Sequence, residues 1–503
     1  MRRILTRFWR AVNLLLQLKI IINRAFMRLL LLLVPVLLPA CNHGDDTTIP
    51  SVVDTGGAPD SGTQTQDLPG YAYASRFDGA DSVSTAGQAF RQLLIDDLSR
   101  HMGGLTNRLN TGFFPMAGEV EAELSFFLDF DSVTSGAVAV AVQTDPAPLQ
   151  GTYDEVSSDK DLVGKLAGND PVGQHQDWST ALAGFADAPT PEALVRGWFA
   201  QIDAAALATA AGDPALAPDD APVPAVYVTA SGVDLQQLTE KFLRGAIAFS
   251  QGTDDYLDDD EPGKGLRADH SKADGDHNYT ALEHAWDEGF GYFGAPRRAG
   301  EWTDAILADP GTNDDDGDGA IDLIREVAWG HAGNAAKRDL GAVAATDFTA
   351  DAWEGFTAGR ALIAGADGPL SADDMQTLQQ HRDRAVGAWE DAIAATVVHY
   401  INAVLGDMAA IGTADYDFGA HAKHWSEGKG FALAPQFNPR SPLSSTDFNT
   451  LHALLGEAPV LPDAPLSERE QYADGLRTAR QILADVYGFD PANLGGDDGS
   501  GGW

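Results

Sequence analysis

The chain is predicted to be all-α, on two observations. Apolar residues recur every three or four positions over long stretches, and several of those stretches open on recognisable helix-start signals. Strand-like alternation is confined to residues 138–142 and 223–228. A third observation suggests how the helices are organised. Trp286-Asp287-Glu288-Gly289-Phe290-Gly291-Tyr292 and Trp425-Ser426-Glu427-Gly428-Lys429-Gly430-Phe431 both read W-x-E-G-x-G-aromatic, and Ala295-Pro296 and Ala434-Pro435 follow at the same offset. A duplicated unit is the simplest source of such a match. The expected architecture is two related helical-bundle halves with an inserted EF-hand-type acidic loop.

Taken in order, residues 1–41 read as a secretory signal, with a basic start and then the apolar run 29–38. Residues 42–70 are a Gly/Asp/Thr/Ser/Pro tether. The first helical half is placed at 71–300. It begins with a helix after Ser84 bearing Phe90, Leu93, Leu94, Leu98 and Met102 on one face, and a second helix runs from Ala117 to Phe130. Thr190-Pro191 starts a third helix, a capping hydroxyl followed by proline in the first turn. Residues 208–225 read as a linker. Asp234 caps the helix of Leu235, Leu238, Phe242 and Phe249, and residues 252–276 read as an exposed acidic insertion.

A connecting segment, 301–345, carries the acidic loop, and 346–490 is the second half. There Ser371 and Asp374 open the longest helix, with Trp389, Ile393, Val397, Tyr400 and Val404 as its buried stripe. Ser467 and Glu470 resemble a capping box, with Leu466 placed to staple it. Residues 491–503 read as a flexible tail.

The formal net charge is −41, with 74 acidic residues against 33 basic. Such a surface repels phosphate backbones, so nucleic acid is excluded as an expected partner. Cys41 is the only cysteine, which leaves no disulfide. It follows Leu38-Pro39-Ala40, and this context resembles the lipobox of bacterial lipoproteins, whose thiol is acylated. The expectation is a lipid anchor on Cys41 and a place in the cell envelope, with the outer membrane favoured because Asn42 follows the cysteine. Met27 is an alternative start, so residues 1–26 need not be translated.

Two sets of residues suggest metal chemistry. Asp314, Asp316, Asp318 and Asp322 fall at positions one, three, five and nine of an EF-hand loop, with Gly319 at the turn and Ile321 as the apolar anchor. Calcium takes six to eight hard oxygens, and this spacing supplies them. Position twelve departs from the pattern, since Arg325 stands there and Glu326 comes one residue late. The second set is His284 with Glu288 and His424 with Glu427, each pair sharing a helix face, with His421 one turn behind. Imidazole and carboxylate converging from two helices would suit a transition metal such as Fe or Zn. The competing account is structural polar packing, because His284 aligns with Lys423 and not with His424. Gly289 to Gly294 matches G-x-G-x-x-G but follows a helix, which rejects a dinucleotide fingerprint.

The residues 283–294, 424–431 and 436–439, with 84–88 and 334–339, resemble a bacterial lipoprotein family, domain-of-unknown-function family 4856, which is similar to the imelysin group. The resemblance runs from about Tyr71 to Pro442. It implies an imelysin-like helical protein of the envelope, and His424-Trp425-Ser426-Glu427 matches the H-x-x-E motif of imelysin-like proteins. Ala422 stands where the fuller motif has glycine. Members are described both as peptidases and as associated with iron uptake. The expected function is binding of a divalent metal or small metal-containing ligand between the halves, in iron acquisition. One alternative is a metallopeptidase with Glu288 as base; another is an interaction module whose motifs are structural only.

Overall fold

The computed structural model describes residues 70–503 apart from residues 136, 171–173 and 186–189. Cys41, the signal and the tether lie outside the described residues. Those described are helical, and their only β pairings are isolated bridges. Among the described residues, eleven helices are longer than two turns, in chain order α1 Ala86–Asn110, α2 Glu119–Leu128, α3 Pro191–Ala210, α4 Leu235–Leu243, α5 Ala281–Phe293, α6 Gly330–Gly341, α7 Phe348–Ala364, α8 Ala372–Ala410, α9 Phe418–Ala432, α10 Ser445–Leu455 and α11 Leu466–Tyr487.

Two rods carry the rest. One is α8, at 39 residues the longest helix, which packs against α6, α7, α9 and α11. Its start is set as the sequence suggests, the Ser371 hydroxyl accepting the Asp374 N–H. Part of α8 is apolar enough to span a membrane, but 61% of that window is buried inside the protein, which makes it a core helix. The other rod is α4, capped by Asp234 on the Gln237 N–H. Beyond Leu243 it continues as π-helix through Arg244–Phe249 and Gln251–Tyr256. Helix α1 packs against α4, and α9 lies against both α4 and α8.

Several expectations need correction. The stretch after Gly252 is not an exposed insertion at its start, because Asp254, Asp255, Leu257 and Asp258 are buried. Their charges are matched: His175 binds Asp254 at 2.8 Å, Lys264 pairs with Asp255, and Arg440 with Asp258. Helix α11 begins at Leu466 with Pro465 in the cap position, so no Ser467 box forms, and the Leu466 side chain is exposed. Residues 491–503 are not a loose tail. Trp503 is buried and its indole donates to the Arg338 carbonyl at 3.1 Å.

Candidate metal centre

The two motif copies are built alike. Trp286 donates its indole N–H to the Phe356 carbonyl at 2.9 Å, and Trp425 donates to the Leu455 carbonyl at 3.1 Å. The first glycine of each copy fits against a preceding rod or the residue just past it. A β-carbon at Gly289 would lie 2.6 Å from Leu257 Cγ, and one at Gly428 would lie 2.9 Å from Tyr400 Cβ. The second glycine of each fits against another helix: Gly291 against Gln88 at 2.9 Å, Gly430 against Lys241 Cβ at 2.6 Å. Glycine is needed here because the helices approach too closely for any side chain.

The structure does not bring the two His/Glu pairs together. Glu427 on α9 lies beside Lys241 near the start of the α4 rod, while Gly289, next to Glu288, rests on Leu257 past its far end. That stretch of rod is roughly 20 Å long. No shared cleft joins His284 and Glu288 to His424 and Glu427.

Each pair has its own surroundings. His284 Nε2 lies 3.7 Å from Glu288 Oε2, its ring stacks on Tyr279 at 4.4 Å, and Glu288 accepts a hydrogen bond from Gln88 Nε2 at 2.8 Å. His424 Nδ1 instead meets Asp407 Oδ2 at 2.8 Å. Burial pulls the His424 pKa down, but Asp407 outweighs it and holds the imidazole above its ordinary value. Glu427 Oε1 is 3.7 Å from Lys241 Nζ, which also binds Glu240 at 2.9 Å. His421 is fully buried, and burial pushes it down to about 4, so it stays neutral. Asp407 and Lys241 carried no signal in the sequence and Gln88 only its place in the 84–88 stretch of the resemblance, since each meets its partner only across helices.

Asp287, inside the first motif, is structural. Buried Arg360 donates to it at 2.9 Å, to Glu283 at 3.2 Å and to Ser82 at 2.7 Å, and Tyr71 donates to Asp287 at 2.9 Å.

The acidic loop is different. Among the described residues, one group of His, Cys, Asp or Glu gathers three ligand atoms: carboxylate oxygens of Asp314, Asp316 and Glu326 lie within 4.8 Å of one another. Oxygens on opposite sides of a calcium ion are about 4.8 Å apart, at about 2.4 Å each from the metal. Glu326, one residue late for the EF-hand frame, thus reaches the loop where Arg325 would not. It also accepts the Asp315 and Asp322 N–H groups at 2.9 and 2.7 Å, and burial raises its pKa. Gly317 and Gly319, both at positive φ, let Asp314 cap their N–H groups at 2.8 and 2.9 Å. Asp318 and Asp322 are not in the trio. Asp318 caps the Ala320 N–H, and Asp322 accepts from Gln150 at 3.0 Å and Ile324 at 2.8 Å. Buried Ile321 anchors the loop by donating to the Ala147 carbonyl at 3.0 Å.

Residues 192–309 match the family described as a domain of unknown function, DUF4856. The DUF4856 match takes in α3, α4 with its π-helical end, and α5 with the first motif copy; the second copy and the acidic loop fall beyond it. No curated protein and no solved structure matches the chain.

Proposed function

We propose that this chain is a helical binding module of the cell envelope, tethered through lipid on Cys41, and that its 314–326 loop holds a calcium ion. The observation that supports the calcium reading is the convergence of Asp314, Asp316 and Glu326. All their donors are hard oxygens on a glycine-bearing loop, which suits Ca²⁺ better than the smaller, stricter Mg²⁺. The ion would brace the segment between α5 and α6, where Ile321 ties the loop to residues 147–148. The tether rests on the lipobox-like context of Cys41 and the apolar run before it.

Calorimetric titration tests the calcium site. One Ca²⁺ per chain is expected, with a melting temperature a few degrees higher at saturating Ca²⁺ than in chelator, since ligand at a hundredfold its Kd contributes about 2.7 kcal/mol. Glu326→Gln and Asp316→Asn should each remove most of that rise. A melting temperature indifferent to Ca²⁺ would reject the site. Cys41→Ser should move the protein from the membrane fraction to the soluble one.

A further inference from the structure

The loop between α1 and α2 turns large apolar side chains outward. Residues 109–118 carry no charge, and Phe113-Phe114-Pro115-Met116 stand together at the turn. Phe114 is 73% exposed and Met116 54%, while Pro115 between them is buried. Hydrogen bonds fix this shape. The Phe113 N–H donates to the Arg108 carbonyl at 2.9 Å and the Met116 N–H to the Glu119 carboxylate at 2.8 Å. The Gly118 and Val120 N–H groups donate to buried Asp203 at 2.9 and 3.0 Å. Arg108 lies over the Phe113 ring at 4.1 Å, and Glu123 offsets its charge through hydrogen bonds of 2.6 and 2.9 Å. A rimmed apolar pair held out into water on a fixed loop marks a contact surface.

A third exposed side chain lies at the same end of the bundle. Asp203 is two turns from the end of α3, and Thr106, one turn from the end of α1, accepts the Val226 N–H at 2.9 Å. The 211–225 loop that follows α3 is therefore at the 111–118 end. It carries Leu216, 46% exposed and paired with Pro222, together with Asp213, Asp219 and Asp220.

The point where the chain enters the fold tells what this end can reach. Tyr71 stacks on Phe290 at 3.7 Å, and Gln88, in the first turn of α1, packs on Gly291. Entry is thus beside the start of α1, whose 25 residues put its far end roughly 37 Å away. Residues 42–70 reach roughly 95 Å when extended. A bilayer that holds lipid on Cys41 lies within that reach, and the tether makes a second contact with it intramolecular.

We propose that Phe114 and Met116, with Leu216 beside them, dip into the surface of the bilayer that carries the Cys41 lipid, so that the module stands with this end of α1 against the membrane. Apolar side chains of such a tip enter the boundary between headgroups and acyl chains. The surface that fits is zwitterionic, because a net charge of −41, with Asp213, Asp219 and Asp220 close to the tip, is repelled by an anionic one. The proposal rests on the lipid-anchor reading for its partner and makes no use of the calcium loop.

The test uses the full-length lipidated protein reconstituted in phosphatidylcholine vesicles. With Cys41 acylated, Ala117→Cys supplies one free thiol for a polarity-sensitive fluorophore. Val133→Cys, on an 84% exposed position past the other end of α2, is the control. The probe at 117 should shift to the blue and be quenched by brominated lipid several-fold more than the probe at 133. Phe114→Ser with Met116→Ser should remove that difference at unchanged melting temperature, since both side chains are exposed, and adding phosphatidylglycerol should weaken it. Equal responses at the two positions, or a 117 signal that survives the double serine substitution, would overturn the proposal. So would a 117 signal that appears without lipid and grows with protein concentration, the mark of self-association. Failure of the protein to float with the vesicles would defeat the lipid anchor instead, and the same two probes on Cys41→Ser chains with added vesicles would then decide the loop by itself.

Discussion

Arg360 enters the interior from α7 and serves Asp287, Glu283 and Ser82 at once, with no exposed surface of its own. Removing it would strand two buried carboxylates, and uncompensated buried charge costs about 3–5 kcal/mol. Arg360→Ala is expected to lower the unfolding free energy by that amount in urea titration, whereas Arg384→Ala, whose Asp351 and Glu354 partners are exposed, should change it by less than about 1 kcal/mol. In the motif Glu283, Asp287 and Glu288 look interchangeable in sequence. Burial separates them, for Glu283 and Asp287 are spent on Arg360 while Glu288 remains partly exposed.

The α4 rod shows why one expectation failed. Up to Phe249 its apolar positions keep a helical rhythm, and the cap at Asp234 is plain in the sequence. Beyond Leu243 the rod continues as π-helix, and every residue from Phe242 to Asp255 is buried, so no face of that stretch meets solvent. Asp254 and Asp255 therefore lie inside, where the composition alone suggested solvent. Packing along the π segment is tight: a β-carbon at Gly252 would lie 2.8 Å from Trp389 Cη2. Gly252→Ala should therefore destabilise the protein by about 1–3 kcal/mol through overpacking, seen as a lower denaturant midpoint at unchanged slope. If the variant is as stable as the wild type, the rod does not press on α8 this closely.

For the molecule as a whole, burial acts in opposite directions with pH on acids and on histidines: it holds His421 at about 4 and His331 at about 3, so these favour folding above the ordinary imidazole value and lose that contribution as pH falls. Burial raises Asp97 to about 6, against hydrogen bonds from Tyr153 at 2.6 Å and the Ala141 N–H at 2.8 Å, and raises Asp234 to about 7. An unfolded aspartate titrates near 3.9, so each group favours folding below about pH 4 and loses that contribution as pH rises through its folded value. Glu123 is buried too, but Arg108 and His101 bring it down to about 2, so its own loss lies well below this window. For Asp97 the span from below pH 4 to above pH 6 is about 3 kcal/mol, of which about 1.4 kcal/mol falls between pH 5 and 7.5. In chelator, Asp97→Asn should therefore gain about 1.4 kcal/mol relative to the wild type as pH rises from 5 to 7.5.

Helix content, the caps at Asp234 and Ser371, the duplicated motif and the acidic loop were legible in the sequence, because each depends on residues within a few positions of one another. Who partners whom across helices was not. Gln88 against Glu288, Lys241 against Glu427, Glu326 closing over Asp314, and the separation of the two motif glutamates along α4 arise from segments far apart in the chain. Their meeting is set by how glycine-notched helices pack, and local spacing does not encode that.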